Sequence, residues 1–257
     1  MGKAGVYCIK KLLPALREQE QIDFVIANGD GATGGYGIGK NHSIYLHKLG
    51  IDVITGGECV YYKKDMVDHI AKSPYILRPA NYPQGNPGLG WHVYETGPHK
   101  VGVISLLGLA GFSNAHLQNP FLLVPHIVER IAQQTKHIIV DFHAATTAEK
   151  QAMFYHLAGT VSAVIGSHTK VLTADERVLP TGTAVITDAG RTGSMRSIGG
   201  LDPEIEIRKY LTQIREYSKD TWDGLELQGV LLDMGADGRA GLIKRVRIAH
   251  DEGSNDD

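Results

Sequence analysis

Two spacings of apolar residues alternate along the chain, one typical of helices and the other typical of buried strands. Apolar residues three and four positions apart predict helices over residues 5–20, 40–49, 64–71, 121–134, 146–157 and 203–217. Short β-branched runs predict strands over residues 22–27, 53–55, 75–77, 138–142, 161–165, 184–187, 225–233 and 241–248. A hairpin of residues 92–95 and 100–107 is predicted around Gly97 and Pro98. Strands that alternate with helices indicate an α/β fold with a parallel sheet.

Chemically active side chains follow several of these predicted strands. His143 and His168 each come directly after an apolar run, and Asp30 and Glu58 follow two earlier strands. Ligands of open α/β sheets bind at the carboxyl ends of the strands, so we expect these four side chains to lie close together. Imidazoles and carboxylates bind divalent metals and suit phosphate chemistry. Taken singly, each histidine is more typical of a hydrogen-bonded core residue than of a ligand, whereas two at equivalent strand ends are equally compatible with a site.

Composition narrows the class of protein. The 257 residues are 42% apolar and 21% charged, which is typical of a globular protein, and we expect one domain over residues 1–250. Residues 251–257 are acidic and predicted to be disordered. A net charge of −2 without a basic stripe argues against binding to a nucleic-acid duplex. The sequence has no apolar run of about 18 residues and no signal peptide, so we expect no membrane span. Two cysteines without a motif favour reduced thiols and a cytoplasmic protein.

Several other polar residues have two interpretations. Arg78 and Asn81 either contact a substrate or pin their Pro-rich loop, and the setting favours the loop. Asp188 either supports a site or caps a helix, and we expect the cap. The Gly-rich loop over residues 31–39 is either flexible or a source of backbone N–H groups for a phosphate. Thr146 and Glu149 have the spacing of a capping box.

Four segments together resemble one protein family. Residues 78–85 (RPANYPQG), 141–150 (DFHAATTAEK), 166–175 (GSHTKVLTAD) and 182–190 (GTAVITDAG) are similar to bacterial 2′,3′-cyclic-nucleotide 2′-phosphodiesterases, which are calcineurin-like metallophosphoesterases. The likeness extends from Gly2 to about Ile248 in the same order and spacing. It implies an αββα sandwich, a centre of two divalent metals (Mn, Fe or Mg) and a cyclic nucleotide or another small phosphodiester as substrate.

The chain departs from the family at several implied metal positions. His143 and His168 match the pattern, and Asp30 stands where the family has glutamate. The remaining departures are Gly31 and Gly57 for asparagines, Glu58 for the histidine that protonates the leaving oxygen, Ala145 for an acidic residue and Lys170 for the last histidine. A lysine ammonium repels a metal ion, and glycine has no side chain to bind one.

Two hypotheses about activity follow from these departures. In the first, Lys170 replaces a metal by pairing with Asp30 or Glu58, and the degenerate site hydrolyses weakly or not at all; a silent version would be a pseudoenzyme that binds a ligand or a protein partner. In the second, Asp30, Glu58, His143 and His168 hold a single divalent ion, with Glu58 also at the catalytic position, and the chain hydrolyses cyclic nucleotides. The cofactor is a divalent metal in the second hypothesis and absent in the first.

The resemblance also implies a first strand that has no counterpart here. Residues 1–5 resemble the loop that follows that strand in the family, so we expect a truncated start. Without it, neighbouring strands are expected to have unpaired backbone groups and exposed apolar faces, which favour association. The oligomeric state is not predicted.

Overall fold

The computed structural model describes residues 1–112 and 116–250, so the acidic tail predicted to be disordered lies outside the described residues. The helices are α1 (Gly2–Gln19), α2 (Lys40–Lys48), α3 (Lys64–Ile70), α4 (Pro120–Ala132), α5 (Thr147–His156) and α6 (Pro203–Thr212). The strands are β1 (Ile26–Asn28), β2 (Val53–Thr55), β3 (Ile76–Leu77), β4 (Trp91–Thr96), β5 (His99–Leu107), β6 (Ile138–His143), β7 (Ala163–Ser167), β8 (Arg177–Val178), β9 (Ala184–Ile186), β10 (Gly193–Ser194), β11 (Leu225–Met234) and β12 (Ala240–Ala249).

The strands form three sheets. A six-stranded sheet has the order β4-β5-β6-β7-β9-β8, in which β5, β6, β7 and β9 are parallel and the two outer strands are antiparallel. Strands β1, β2 and β3 form a small parallel sheet, and β10, β11 and β12 form an antiparallel one. Parallel neighbours direct their carboxyl ends to one edge, which is where His143, His168 and Glu58 follow their strands.

Apolar side chains divide the molecule into layers. Helices α4 and α5 pack on the outer face of the six-stranded sheet through a core that includes Ile131 and Phe154. Residues of α1, α2 and α3 pack on the two small sheets through Leu13, Leu46 and Met66. A third core lies between the sheets and joins residues such as Val53, Val103 and Ile243. This order of layers confirms the predicted αββα sandwich.

Two predicted elements are markedly shorter in the structure, and two short strands are not predicted. The strand predicted over residues 22–27 is limited to Ile26–Asn28, because the Val25 N–H donates to the Asp52 carboxylate (2.8 Å) and Arg17 binds the carbonyls of Ile22 and Asp23. The helix predicted over 203–217 ends at Thr212, since Gln213 has left-handed backbone geometry (φ 58°). Strands β8 and β10 contain two residues each, too few to show a period in the sequence.

Two further predictions concern the thiols and the membrane. Cys8 and Cys59 are both free and buried, as expected for reduced thiols. No helix among the described residues has both the length and the apolar character needed to cross a bilayer.

Candidate metal centre

Three of the four predicted metal ligands lie together at the carboxyl edge of the sheets. Ligand atoms of Glu58, His143 and His168 all lie within 4.8 Å of one another. His143 ends β6, His168 follows β7, and Glu58 follows β2, so the two opposed sheets meet at this point. The fourth residue, Asp30, follows β1, and its Oδ2 lies 3.8 Å from His143 Nε2. The sequence-based expectation that these side chains converge is therefore what the structure shows.

Glu58 lies between the two imidazoles. Its Oε2 is 2.8 Å from His143 Nε2, and its Oε1 is 3.6 Å from His168 Nδ1. Burial alone would raise the pKa of this carboxyl, but contacts with the two imidazoles outweigh burial and lower the pKa well below its usual range. Oε2 is buried and has no aligned hydrogen bond among the described residues. Glu58 therefore presents an ionised carboxylate to the two imidazoles.

A hydrogen-bonded chain behind His143 fixes the orientation of its ring. Ser167 Oγ donates to Asp141 Oδ1 (2.6 Å), so it accepts from His143 Nδ1 at 3.0 Å. Asn28 Nδ2 donates to Asp141 Oδ2 (2.9 Å) and holds the same carboxylate from the side of β1. This arrangement holds Nδ1 against Ser167 and directs Nε2 at Glu58 and His168, so that a metal ion bound there would take the place of the proton that Nε2 shares with Glu58.

His168 has a strained backbone that its surroundings hold in place. Its φ of 104° is uncommon for a residue with a side chain. The next residue, Thr169, donates both its N–H (2.8 Å) and its hydroxyl (2.6 Å) to Asp188 Oδ2, which also accepts from the buried Lys150 ammonium at 3.0 Å. The buried Lys150–Asp188 ion pair thus anchors Thr169 and, through it, the strained backbone of His168. In this position, His168 Nδ1 lies 3.1 Å from His143 Nε2.

The prediction that Asp188 caps a helix is wrong. The next helix, α6, begins only at Pro203. Besides its bonds to Lys150 and Thr169, Asp188 Oδ1 accepts from the Gly190 N–H at 3.0 Å. Asp188 therefore supports the turn that carries His168, which is the interpretation that the sequence analysis ranked second.

Asp30 belongs to a second group of potential ligand atoms, which it forms with Glu58 and Cys59. It is 7% exposed, and its carboxylate accepts the N–H groups of Gly57 (2.7 Å) and Cys59 (3.1 Å). Burial raises the pKa of Asp30, although the nearby His143 opposes that effect. Most of its bonding capacity holds the loop that carries Glu58 in place.

The expected ion pair of Lys170 is absent. Within the described residues, no carboxylate oxygen of Asp30 or Glu58 lies within 4.0 Å of the Lys170 ammonium, and Glu58 pairs with the imidazoles instead. Lys170 nevertheless lines the same cavity as these residues. Its backbone is left-handed (φ 63°), and Arg191 Nη1 donates to its carbonyl at 2.7 Å. Lys170 thus adds positive charge to the site but does not neutralise Glu58.

The two glycines that stand where the family has asparagine are closely packed. A Cβ built on Gly57 would collide with the His143 ring, and one built on Gly31 would collide with the Met1 thioether. In this arrangement the ring of His143 occupies the space that a side chain at position 57 would need. A second metal site built from these two positions does not fit.

Arg78 and Asn81 act on their own loop. Asn81 is fully buried, and its side-chain amide bonds the Leu107 N–H (3.0 Å) and carbonyl (2.8 Å). Arg78 is 7% exposed and donates to the carbonyl of Pro79 at 2.9 Å. These contacts agree with the loop role, and they leave the Asn81 amide without capacity for a substrate.

Sequence reasoning missed several residues of the site. Phe112 packs its ring edge-on to His168, with ring centroids 5.0 Å apart, and Asn28, Ser167 and Lys150 orient the histidines. A signal existed for Asn28 and Ser167, since both stand at strand ends next to predicted ligands. None existed for Phe112 or Lys150, because a loop phenylalanine and a helical lysine are ordinary features of any chain.

The donor set fits one divalent cation. Glu58, His143 and His168 offer one carboxylate oxygen and two ring nitrogens, a combination typical of divalent transition-metal sites that keep an open position.

Comparisons with known proteins show the family of the chain. The model of the YmdB-like protein family matches residues 1–246. The chain is 35% identical to the 2′,3′-cyclic-nucleotide 2′-phosphodiesterase of Bacillus subtilis, over 98% of this chain and 95% of that protein. A novel phosphatase from Mycoplasma pneumoniae has a TM-score of 0.90 at 31% identity, covering 98% and 91% of the two chains. A hypothetical protein from Thermus thermophilus has a TM-score of 0.90 at 29% identity, covering 98% and 96%. The chain therefore belongs to the family of YmdB-like proteins, within the metallophosphoesterase superfamily.

Proposed function

We propose that this chain is a phosphodiesterase that works with a single divalent ion and hydrolyses small phosphodiesters weakly. The observation that carries the proposal is the cluster of Glu58, His143 and His168, whose ligand atoms lie within 4.8 Å of one another. Relatives described as a 2′,3′-cyclic-nucleotide 2′-phosphodiesterase and a phosphatase support a phosphoesterase function. Mn²⁺, Fe²⁺ and Mg²⁺ are the candidate ions.

A count of one ion follows from the packing around the cluster. The ring of His143 lies against Gly57, and Met1 lies against Gly31. The cationic side chain of Lys170 lines the same cavity. A positive charge about 5 Å from a second divalent ion would cost several kcal/mol at an effective dielectric near 20. A single ion on the imidazoles and Glu58 meets this repulsion once, and a second ion would meet it again.

Each side chain of the site has a defined part in hydrolysis. A bound divalent ion supplies Lewis-acid polarisation of the phosphate and lowers the pKa of water. His143 and His168 orient that ion through ring nitrogens whose positions Ser167 and Asp188 fix. The Lys170 ammonium, which lines the same cavity, attracts the anionic diester. This role explains why a lysine lies beside a site that would bind a metal cation.

Slow turnover follows from the state of Glu58. It occupies the position at which the family resemblance implies a proton donor, but its lowered pKa keeps it ionised at neutral pH. The leaving oxygen therefore departs without a proton from this residue. Substrates with good leaving groups should tolerate this, and cyclic nucleotides should be hydrolysed more slowly.

The test combines metal content with hydrolysis of two substrates. After loading with Mn²⁺, elemental analysis should find one ion per chain. Bis-p-nitrophenyl phosphate should be hydrolysed faster than 2′,3′-cyclic AMP, because p-nitrophenolate needs no proton. His143→Ala should lower both activities at least about 100-fold, since even groups behind a metal ligand contribute 10- to 100-fold. His126→Ala is the matched control, because His126 is 76% exposed.

Lys170→Met separates the role of the ammonium from that of the metal. Loss of the cation should raise KM for both substrates about tenfold and tighten Mn²⁺ binding, with little change in kcat. Two ions per chain together with fast turnover of 2′,3′-cyclic AMP would contradict the single-ion proposal. A chain without metal or turnover under these conditions would favour the pseudoenzyme hypothesis instead.

A further inference from the structure

Helix α6 presents apolar side chains to solvent, although it is already anchored to the fold. Ile205 is buried, and Asp202 caps the start of the helix by accepting the N–H groups of Glu204 (2.9 Å) and Ile205 (3.1 Å). Five large apolar side chains of α6 and of the segment directly after it are between 50% and 99% exposed: Ile207, Tyr210, Leu211, Ile214 and Tyr217. We call these five residues the α6 patch. None of them lines the cavity of the metal site.

The residues of the α6 patch lie close together. Ile207, Tyr210 and Leu211 are three and four positions apart, so they share one face of the helix. After the helix ends, Arg208 donates to the Glu216 carboxylate through Nε (2.9 Å) and Nη2 (2.7 Å). This paired contact keeps the segment that carries the last two residues of the patch beside the helix.

The α6 patch is large for the surface of a monomer. At roughly 200 Å² for a large side chain, five that are exposed by half or more present on the order of 700 Å². The largest apolar patch of a typical monomer covers about 300–600 Å². A stable interface covers about 800 Å² on each partner. The size of the patch is therefore that of an interface.

Opposite charges stand at the two ends of the α6 patch. Glu204, at the start of α6, and Arg215, after its end, are both exposed, and neither has an ion-pair partner within 4.0 Å among the described residues. Such a patch is complementary to a second copy of itself turned end for end, because the acidic end of each copy then lies beside the basic end of the other. A parallel contact would instead bring like charges together.

We propose that the α6 patch is the interface of a homodimer, in which two copies of the chain pack α6 antiparallel about a two-fold axis. Tyr210 and Leu211 lie at the centre of the patch and supply the apolar contact. Glu204 of each copy pairs with Arg215 of the other copy, and this pairing selects the antiparallel orientation. A two-fold contact uses the same patch on both copies, so association stops at the dimer.

Sedimentation velocity of the intact chain in chelator measures this association, and a dimer should form at micromolar concentrations. Leu211→Lys places a charge at the centre of the contact and should raise the dissociation constant at least about 100-fold. Leu122→Lys is the matched control, because Leu122 is 73% exposed on α4, outside the patch, and it should dimerise as the unmodified chain does. Both side chains are exposed, so both variants should fold.

Reversal of the end charges tests the orientation of the two copies. Glu204→Arg places arginines together at both ends of the contact and should weaken the dimer about fivefold or more. Arg215→Glu should have the same effect by bringing carboxylates together. The double variant exchanges the two charges, so it should restore the dissociation constant to within about twofold of the unmodified value.

Three outcomes would overturn the proposal. The first is a chain that stays monomeric at submillimolar concentrations. The second is a dimer that Leu211→Lys leaves intact, because another surface would then hold it. The third is a double charge variant that is as weak as the single variants, which would contradict the antiparallel contact. None of these measurements needs metal or substrate, so the proposed function and this inference can fail separately.

Discussion

At the scale of single residues, the site is organised around one carboxylate. Glu58 is held by two imidazoles, whereas Asp30, which is more deeply buried, uses its oxygens to accept backbone N–H groups. The pKa values of the two carboxyls consequently move in opposite directions, down for Glu58 and up for Asp30. Hydrogen bonds from groups that carry or share a positive charge outweigh burial at Glu58, and burial prevails at Asp30. The two carboxylates of the site therefore have different roles: Glu58 pairs with the imidazoles, and Asp30 holds backbone N–H groups.

Replacement of Glu58 by glutamine should reveal this pairing in the pH dependence of stability. The lowered pKa of Glu58 means that its contribution is present above its ordinary value of 4.5 and is lost as the pH falls below it. The raised pKa of His143 means that its contribution is present below 6.5 and is lost as the pH rises through the raised value. Without metal, Glu58→Gln should therefore cost most between these two values, about 1–2 kcal/mol after allowance for partial exposure.

Urea unfolding in the presence of a chelator, from pH 4 to about pH 9, measures this difference. Glu129→Gln is the matched control, since Glu129 is 76% exposed and should show no such window. A cost that does not vary with pH would mean that Glu58 acts through packing and not through its charge.

At the scale of elements, a buried ion pair connects α5 to the turn after β7. Lys150 of α5 and Asp188 after β9 are both fully buried, and Asp188 also fixes Thr169 beside His168. Thr146 caps α5 as predicted, accepting the Glu149 N–H at 3.3 Å, but the Glu149 carboxylate bonds Leu109 N–H (2.7 Å) instead of completing the capping box. Helix α5 thereby positions two loops of the site, the one with His168 and the one with Phe112.

Lys150→Met should destabilise the chain by about 3–5 kcal/mol, because it leaves the Asp188 carboxylate buried without its cation. The turn at His168 should loosen as well, which should weaken Mn²⁺ binding in protein that remains folded. Chemical unfolding and metal titration measure the two effects. Lys100→Met, at a half-exposed lysine, is the control and should change neither quantity appreciably. Unchanged metal affinity in folded Lys150→Met would show that the ion pair serves the core alone.

At the scale of the whole molecule, the site joins the two halves of the sandwich. Glu58 comes from the small sheet, and His143 and His168 come from the six-stranded sheet. A bound ion would therefore link layers that are otherwise held together largely by apolar contacts. Such a link stabilises the folded chain by mass action, because the unfolded chain does not hold the three ligands together.

Mn²⁺ should therefore raise the unfolding temperature of this chain. At an ion concentration 100 times the Kd, the gain is about 2.7 kcal/mol, which corresponds to a rise of several degrees for a chain of this size. His143→Ala should remove the rise, and His126→Ala should preserve it. Each variant is compared with itself in chelator by calorimetry, so that any stability lost through the substitution cancels. A rise that survives in His143→Ala would assign the metal to other residues.

From the sequence, strand and helix periods and the rule of strand carboxyl ends predicted an α/β sheet and the meeting of His143, His168, Glu58 and Asp30, because these patterns are local in origin. The αββα order of layers followed from the resemblance to the family. Only the tertiary structure decided how these groups share their contacts. In the structure, Glu58 pairs with imidazoles and not with Lys170, and Asp30 accepts hydrogen bonds from backbone N–H groups. Asp188 accepts hydrogen bonds from Thr169 and supports the turn at His168. Which side chains pair depends on spatial distances between residues that are far apart in the chain, and a local sequence pattern does not encode those distances.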